Sequence, residues 1–305
     1  MQHNFTSRNI ITIAILALIW GSSFILIKRG LVHLTAMQLA ALRIIFAFIV
    51  LLPFAIKHFK NIPKSLWKYI FISGICGSGI PAFLFAFAQN KINSSMAGIL
   101  NSTTPLFAVI FSFILFKEKP NPQGVLGIIL GFLGAICLIV FSHNTTIEYN
   151  AFALLIIIAT ALYGINVNLV KKYLHNINPE ALNAFAFCFN AVFAIFILYF
   201  SGFFSLIQSK NEQLSINILQ FYNSNITLGD SIFYIFILGA MGSALSGIFF
   251  YKLIHRTNPI FASTVTYIMP LIAIFWGIID GESLSFYYFI GLILILIGVW
   301  LVGKR

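Results

Sequence analysis

Apolar runs of about twenty residues, parted by short polar clusters, follow one another along the whole 305-residue chain. At 1.5 Å per residue, about twenty residues cross a hydrocarbon core roughly 30 Å thick, so the pattern predicts transmembrane helices. Ten are expected, over 9–27, 36–56, 67–88, 95–116, 122–141, 151–170, 181–204, 231–251, 259–279 and 284–302. The runs are continuous in Ile, Leu and Phe. They lack the two-residue alternation that a membrane β-barrel requires.

The polar and special residues within these runs recur. At an offset of 165, Gly74, Gly77 and Ser78 meet Gly239, Gly242 and Ser243, and Asn93, Ala97, Pro105, Leu106 and Ala108 meet Asn258, Ala262, Pro270, Leu271 and Ala273. After one deletion, Glu118, Gly127 and Gly134 meet Glu282, Gly291 and Gly298. At an offset of 143, Trp20-Gly21, Ser23 and Lys28-Arg29 meet Tyr163-Gly164, Asn166 and Lys171-Lys172. Matching glycines and prolines carry more weight than matching leucines, and such repetition marks repeated architecture. Five spans per half is an odd number, so the second half enters the bilayer upside down. The expected fold class is all-α integral membrane, with ten transmembrane helices as two inverted five-helix repeats, residues 1–145 and 146–305. Such repeats commonly hold a transported solute between them near mid-membrane.

Composition agrees: 60% of residues are hydrophobic and 8% charged, against roughly 25% charged in a soluble domain. The net charge of +11 suggests nucleic acid until its distribution is examined. Alternate loops and span ends gather thirteen Lys and Arg on one side (Arg8, Lys57, Lys60, Lys64, Lys68, Lys117, Lys119, Lys171, Lys172, Lys252, Arg256, Lys304, Arg305) and four on the other (Lys28, Arg29, Lys91, Lys210). That asymmetry is a topology signal, placing both termini in the cytoplasm of a cell whose inner (plasma) membrane the chain crosses. Nucleic acid is not needed to explain it. Cys76, Cys137 and Cys188 lie inside apolar runs without metal or disulfide spacing. The first run reaches Lys28-Arg29 without a small-residue cleavage site and is expected to stay as a helix. The connection 205–229, rich in Asn, Ser and Gln, is expected as a solvated loop.

Candidate chemistry is concentrated at mid-depth. Ser94, Ala97, Asn101, Thr104, Ala108 and Ser112 form a small-and-polar stripe on the fourth span. Pro259, Ala262 or Ser263, Thr266, Ala273 and Gly277, with Tyr267 beside them, echo it on the ninth. Close helix packing explains the small residues. Pro105 and Pro270 each remove a backbone donor, leaving the carbonyls of Asn101 and Thr266 without helical partners. These prolines are hinge candidates, or plain packing kinks. Arg43 lies about 11 Å inside the second span, at a cost of about 2.5–3.5 kcal/mol or more. No span offers it an acidic partner. It either clamps neighbouring backbones or meets an anionic substrate, to which its planar fork is suited. Its equivalent in the second half is expected near Cys188. Trp20 and Tyr163 either gate a cavity or anchor at the interface, and Asn166 follows on the sixth span.

Nucleotide-cradling loops, metal clusters and catalytic constellations are absent from the sequence, so neither cofactor nor metal is expected and an integral membrane enzyme is the weaker reading. The sequence resembles the ten-helix EamA-type branch of the drug/metabolite transporter superfamily, on Ile19-Trp20-Gly21-Ser22-Ser23-Phe24, Ala41-Leu42-Arg43, Pro105-Leu106-Phe107, Phe116-Lys117-Glu118-Lys119, Gly127 to Gly134, Pro270-Leu271, Gly281-Glu282 and Gly291 to Gly298. The resemblance implies a cavity ringed by the first four helices of each half, with the fifth and tenth peripheral, and export of amino acids or related metabolites. The expected partners are a small-molecule substrate and the lipid bilayer, and a monomer suffices. Substrate contacts are expected from Trp20, Arg43, Asn101, Thr104, Tyr163, Asn166, Thr266 and Tyr267, with Pro105 and Pro270 as hinges. A sugar-phosphate or nucleotide-sugar carrier is the alternative within the superfamily, although one buried arginine is few for such charge.

Overall fold

The computed structural model describes residues 6–141, 147–209, 214, 226–257, 261–262 and 264–303. Within them no strand occurs. Nine apolar helices are long enough to cross a bilayer and a tenth is shorter. They are α1 Ser7–Gly30, α2 Ala36–His58, α3 Lys64–Gln89, α4 Ser94–Phe116, α5 Pro122–Phe141, α6 Ala151–Leu174, α7 Pro179–Phe200, α8 Leu228–Arg256, α9 Val265–Ile279 and α10 Phe286–Gly303. The ten expected spans are all present. The expected loop after α7 begins instead with a short helix, Phe203–Ser209, because its Phe203 is buried against the bundle. The positions read as Asn258, Pro259 and Ser263 lie outside the described residues.

Helix starts follow local chemistry. Thr35 and Thr227 each close a capping box with the residue three further on, Gln38 and Asp230. Their side chains and backbone amides satisfy donors that the first turn leaves unpaired. Irregularity is confined to particular places. Three helices carry a π-helical turn: α6 at its end, Val170–Leu174, and α3 and α8 within their length, Ile75–Gly79 and Ala240–Leu245, the latter two at positions 165 apart. Such single wide turns are uncommon and tend to occur at functional sites.

The inverted repeat is visible as crosswise contacts. Gly21 of α1 lies against Ile272 and the Met269 carbonyl of α9, while Gly164 of α6 lies against Phe107 and Ala108 of α4. The offsets within this quartet are again 143 and 165. Gly77 abuts the Asn166 side chain as Gly242 abuts the Ser23 hydroxyl. Gly74 rests on the Ala186 carbonyl as Gly239 rests on that of Arg43. The last pair corrects the sequence reading: the equivalent of Arg43 is Ala186, not Cys188, because α2 and α7 keep the 143 offset of α1 and α6.

α5 and α10 lie together at the periphery. Gly127 meets the Gly298 carbonyl and Gly134 meets the Gly291 carbonyl. Each glycine thus touches the partner of the other. A surface that contacts its own copy in this way has two-fold symmetry.

Candidate functional site

A cavity of about 160 Å³ sits between the halves, lined by residues of α1 to α4 and α6 to α9. Among the described residues, α5 and α10 contribute nothing to it. Its walls are largely repeat partners: Trp20 and Tyr163, Ser23 and Asn166, Gly77 and Gly242, Ser78 and Ser243, Phe85 and Phe250, Asn101 and Thr266. The cavity therefore straddles the two-fold axis. Gly77, Ser78, Gly242 and Ser243 belong to the π-helical turns of α3 and α8, which bring backbone close to the cavity.

Two aromatic pairs face each other across this axis. Trp20 packs edge-on against Phe250, centroids 5.0 Å apart, and Tyr163 stacks on Phe85 at 6.1 Å. The four form equivalent couples, because Phe85 and Phe250 are themselves 165 apart. Sequence reasoning named Trp20 and Tyr163 but missed the phenylalanines, which the same offset reveals. The Trp20 indole donates to the Gly242 carbonyl at 3.0 Å and to Ser246 Oγ at 2.9 Å. This ties α1 to the π-helical turn of α8 and places Trp20 inside the bundle rather than in an interfacial belt.

Arg43 reaches the same turn, Nε donating to Ser243 Oγ at 2.9 Å. Its terminal nitrogens make no hydrogen bond among the described residues, and the guanidinium faces the cavity within electrostatic reach of Tyr163. The other half makes the equivalent crossing with a neutral group. Asn190 of α7, one turn beyond Ala186, donates to Ser78 Oγ at 3.0 Å and to the Gly74 carbonyl at 2.9 Å.

The prolines behave differently from the expectation of open carbonyls at two matched kinks. α4 breaks: Ser102 and Thr103 form a turn, and Pro105 falls in the first turn of the new helix Thr104–Phe116, where its missing N–H costs little. Pro270 stays within α9. Both orphaned carbonyls are satisfied by hydroxyls. Thr104 Oγ1 donates to Asn101 O at 2.8 Å, and Ser102 Oγ crosses from α4 to Thr266 O at 2.9 Å. Membrane hydrogen bonds average only about 0.6 kcal/mol, but Pro270 deprives this carbonyl of its usual helical donor four residues on. We expect Ser102→Ala to cost about 1–2 kcal/mol, measured by denaturant unfolding in mixed micelles. A cost near zero would mean that the acceptor finds another donor.

The remaining sequence candidates divide. Asn101 lines the cavity, and its side-chain amide makes no hydrogen bond among the described residues. Asn166 is engaged: Ser73 Oγ donates to its Oδ1 at 2.6 Å, and its Nδ2 donates to the Tyr251 hydroxyl at 3.3 Å. Tyr267 is misplaced by the sequence reading. It leaves the cavity, its hydroxyl facing Gly303 of α10, because the turn at Thr264 rotates α9 so that Thr266 and Met269 face inward.

Ionic ties close the bundle ends. On the side poor in Lys and Arg, the Glu282 carboxylate, only 2% exposed, accepts from Ser94 N at 2.8 Å, Ser94 Oγ at 2.7 Å, Ser95 N at 3.1 Å and Ser95 Oγ at 2.6 Å. Lys28 bridges Glu282 at 2.9 Å and Asp280 at 2.6 Å, and Arg29 also pairs with Asp280. α1, the start of α4 and the α9–α10 turn are joined through this one cluster. Its repeat equivalent, Lys171 with Glu118 at 3.1 Å, is 41% and 35% exposed. Burial alone would raise the Glu282 pKa, but donation from Lys28, Ser95 and Ser94 outweighs it and holds the carboxyl below its ordinary value.

Comparison with known proteins agrees with this architecture. The model of the EamA-like transporter family matches residues 7–140 and 150–304. An uncharacterized transporter of Archaeoglobus fulgidus is 25% identical over 301 residues, covering 97% of this chain and 98% of its own. The uncharacterized transporter YetK of Bacillus subtilis is likewise 25% identical, over 95% of this chain and 85% of its own. One crystal structure superposes with a TM-score of 0.62 at 15% identity over 95% of this chain and 94% of the other, a likeness of fold.

Proposed function

The chain belongs to the EamA-like transporter family, and from that premise we propose that it is a secondary transporter that exports small polar metabolites, such as amino acids, across the inner (plasma) membrane by alternating access. In this reading both termini are cytoplasmic, residues 1–145 and 146–305 are the two rocking halves, and a single chain suffices. The observation that carries it is the cavity on the two-fold axis, walled by both halves and supplied with polar groups that the fold itself leaves unused. Arg43, Asn101 and Tyr163 face it as donors, while Trp20 and Tyr163 with their phenylalanine partners close over the solute. Thr104 and Thr266 line the path, Asn166 holds the wall, and Pro105 and Pro270 mark where α4 and α9 bend.

Among the described residues no Asp, Glu or His lines the cavity, which favours facilitated efflux over proton exchange, since intramembrane proton relays are built from those groups. Radiolabelled amino acids loaded into overexpressing cells should leave faster than from cells expressing Arg43→Gln. In proteoliposomes, flux should follow the solute gradient. Uptake driven by a pH gradient alone would remove the facilitated mechanism, and an absence of flux for every solute would remove the transporter reading.

A further inference from the structure

We infer, resting on the reading of the chain as a transporter of small polar metabolites but departing from its amino-acid example, that the cavity selects compact monocarboxylates with an apolar or aromatic body over zwitterions and cations. Four observations converge. First, Arg43 is more than a clamp. The equivalent crossing in the other half is held by neutral Asn190 through the same kind of contact with a serine of the opposite π-helical turn. The structural task therefore needs one donor and no charge. The guanidinium nevertheless carries one into mid-membrane, at about 2.5–3.5 kcal/mol or more, and on this cavity-lining residue only Nε is engaged, which leaves a planar pair of terminal donors without a bond among the described residues. That geometry suits the two oxygens of a carboxylate.

Second, the cavity supplies no counter-charge. Among the described residues, its lining contains Arg43 and no Asp or Glu, so a bound monoanion brings the local charge to zero. A zwitterion would leave its ammonium without a carboxylate in a poorly hydrated site, and a cation would meet Arg43 directly. Third, the walls near Arg43 are rings: Tyr163 on Phe85, and Trp20 on Phe250. Fourth, the volume of about 160 Å³ matches a body of one ring, since a cavity of about 150 Å³ accommodates benzene. Asn101, with its amide unused, stands ready to donate to a carboxylate oxygen or a ring substituent.

A matched set of ligands tests this on the purified full-length protein in detergent. Phenylglycine is phenylacetate with an added ammonium, benzylamine lacks the carboxylate, and benzyl alcohol is neutral. Thermal-shift titrations at pH 7.5 should rank phenylacetate first, with phenylglycine at least about tenfold weaker and the other two without effect. Arg43→Gln, whose amide can still reach Ser243, should keep the unliganded melting temperature and lose the phenylacetate response. If that variant does not fold, the wild-type ranking decides by itself. Phenylglycine binding as tightly as phenylacetate, benzylamine binding at all, no binding by any of the four, or an undiminished phenylacetate response in Arg43→Gln would each overturn the inference. Proteoliposome flux separates it from the broader reading: leucine flux without a phenylacetate response sinks the inference alone, whereas phenylacetate binding without flux of any solute sinks transport.

Discussion

Glu282→Ala should destabilise the protein by about 3–5 kcal/mol, the usual consequence of deleting one partner from a buried ionic cluster. The side chain accepts four hydrogen bonds from Ser94 and Ser95 and pairs with Lys28. Alanine would leave the first turn of α4 with buried donors facing no acceptor. Lys28 is spared the worst, since it keeps Asp280 and is partly exposed. The effect has a pH signature. The folded-state pKa of Glu282 lies below its ordinary 4.5, so the carboxylate contributes its full stabilisation above that value. The contribution is lost as pH falls from 4.5 through the folded value. Melting curves in detergent should therefore show the largest gap between wild type and Glu282→Ala near neutral pH, narrowing in acid. A gap below about 1 kcal/mol at pH 7.5, or one that widens in acid, would show that the cluster is incidental. Glu282→Gln, which keeps an acceptor but no charge, should fall between the two.

Gly298→Val should prevent folding more completely than any substitution in the cavity. A β-carbon there would stand 2.5 Å from the Gly127 carbonyl oxygen, 2.7 Å from Gly131 N and 2.8 Å from its Cα. All three are backbone atoms, so no rotamer relieves the clash and α5 must move off α10. Overpacking ordinarily costs about 1–3 kcal/mol, and valine adds two methyl groups beyond the atom already in collision. The yield of monodisperse protein on size exclusion should collapse. Gly127→Val, at the same contact seen from the other side, should behave alike. Wild-type yield from either variant would contradict the seam as described.

Much of this was legible from residues alone. Ten spans, the inverted halves and the pairing of Trp20 with Tyr163 follow from apolar run length and from glycines, prolines and charges at fixed offsets, whereas the peripheral fifth and tenth helices were implied by the family resemblance alone. Which face of each helix looks inward was harder, and the reason is physical. In water, a helix betrays its buried face by amphipathic periodicity, but lipid is as apolar as a protein core. Phe85 and Phe250 therefore read no differently from phenylalanines that face acyl chains. Tyr267 was assigned inward by its nearness to Thr266, which the turn at Thr264 undoes. The break in α4 escaped notice because a proline reads as a kink in a continuous helix just as well as it reads as the first turn of a new one. The hydroxyl partners of the freed carbonyls are a three-dimensional matter: Ser102 finds Thr266 only after the halves have docked.

The crosswise glycine seam between α5 and α10 reaches beyond stability. Each half presents to the other the surface that the other presents in return, so the seam itself specifies how the two halves fit. A free-standing five-helix chain inserted into the bilayer in both orientations would carry the same complementary ridge, and would assemble with itself as a dual-topology homodimer. Fusion then adds one freedom that such a dimer lacks. Once the copies are joined in a single gene they can diverge, and an arginine can be kept on one side of the axis while alanine occupies the other.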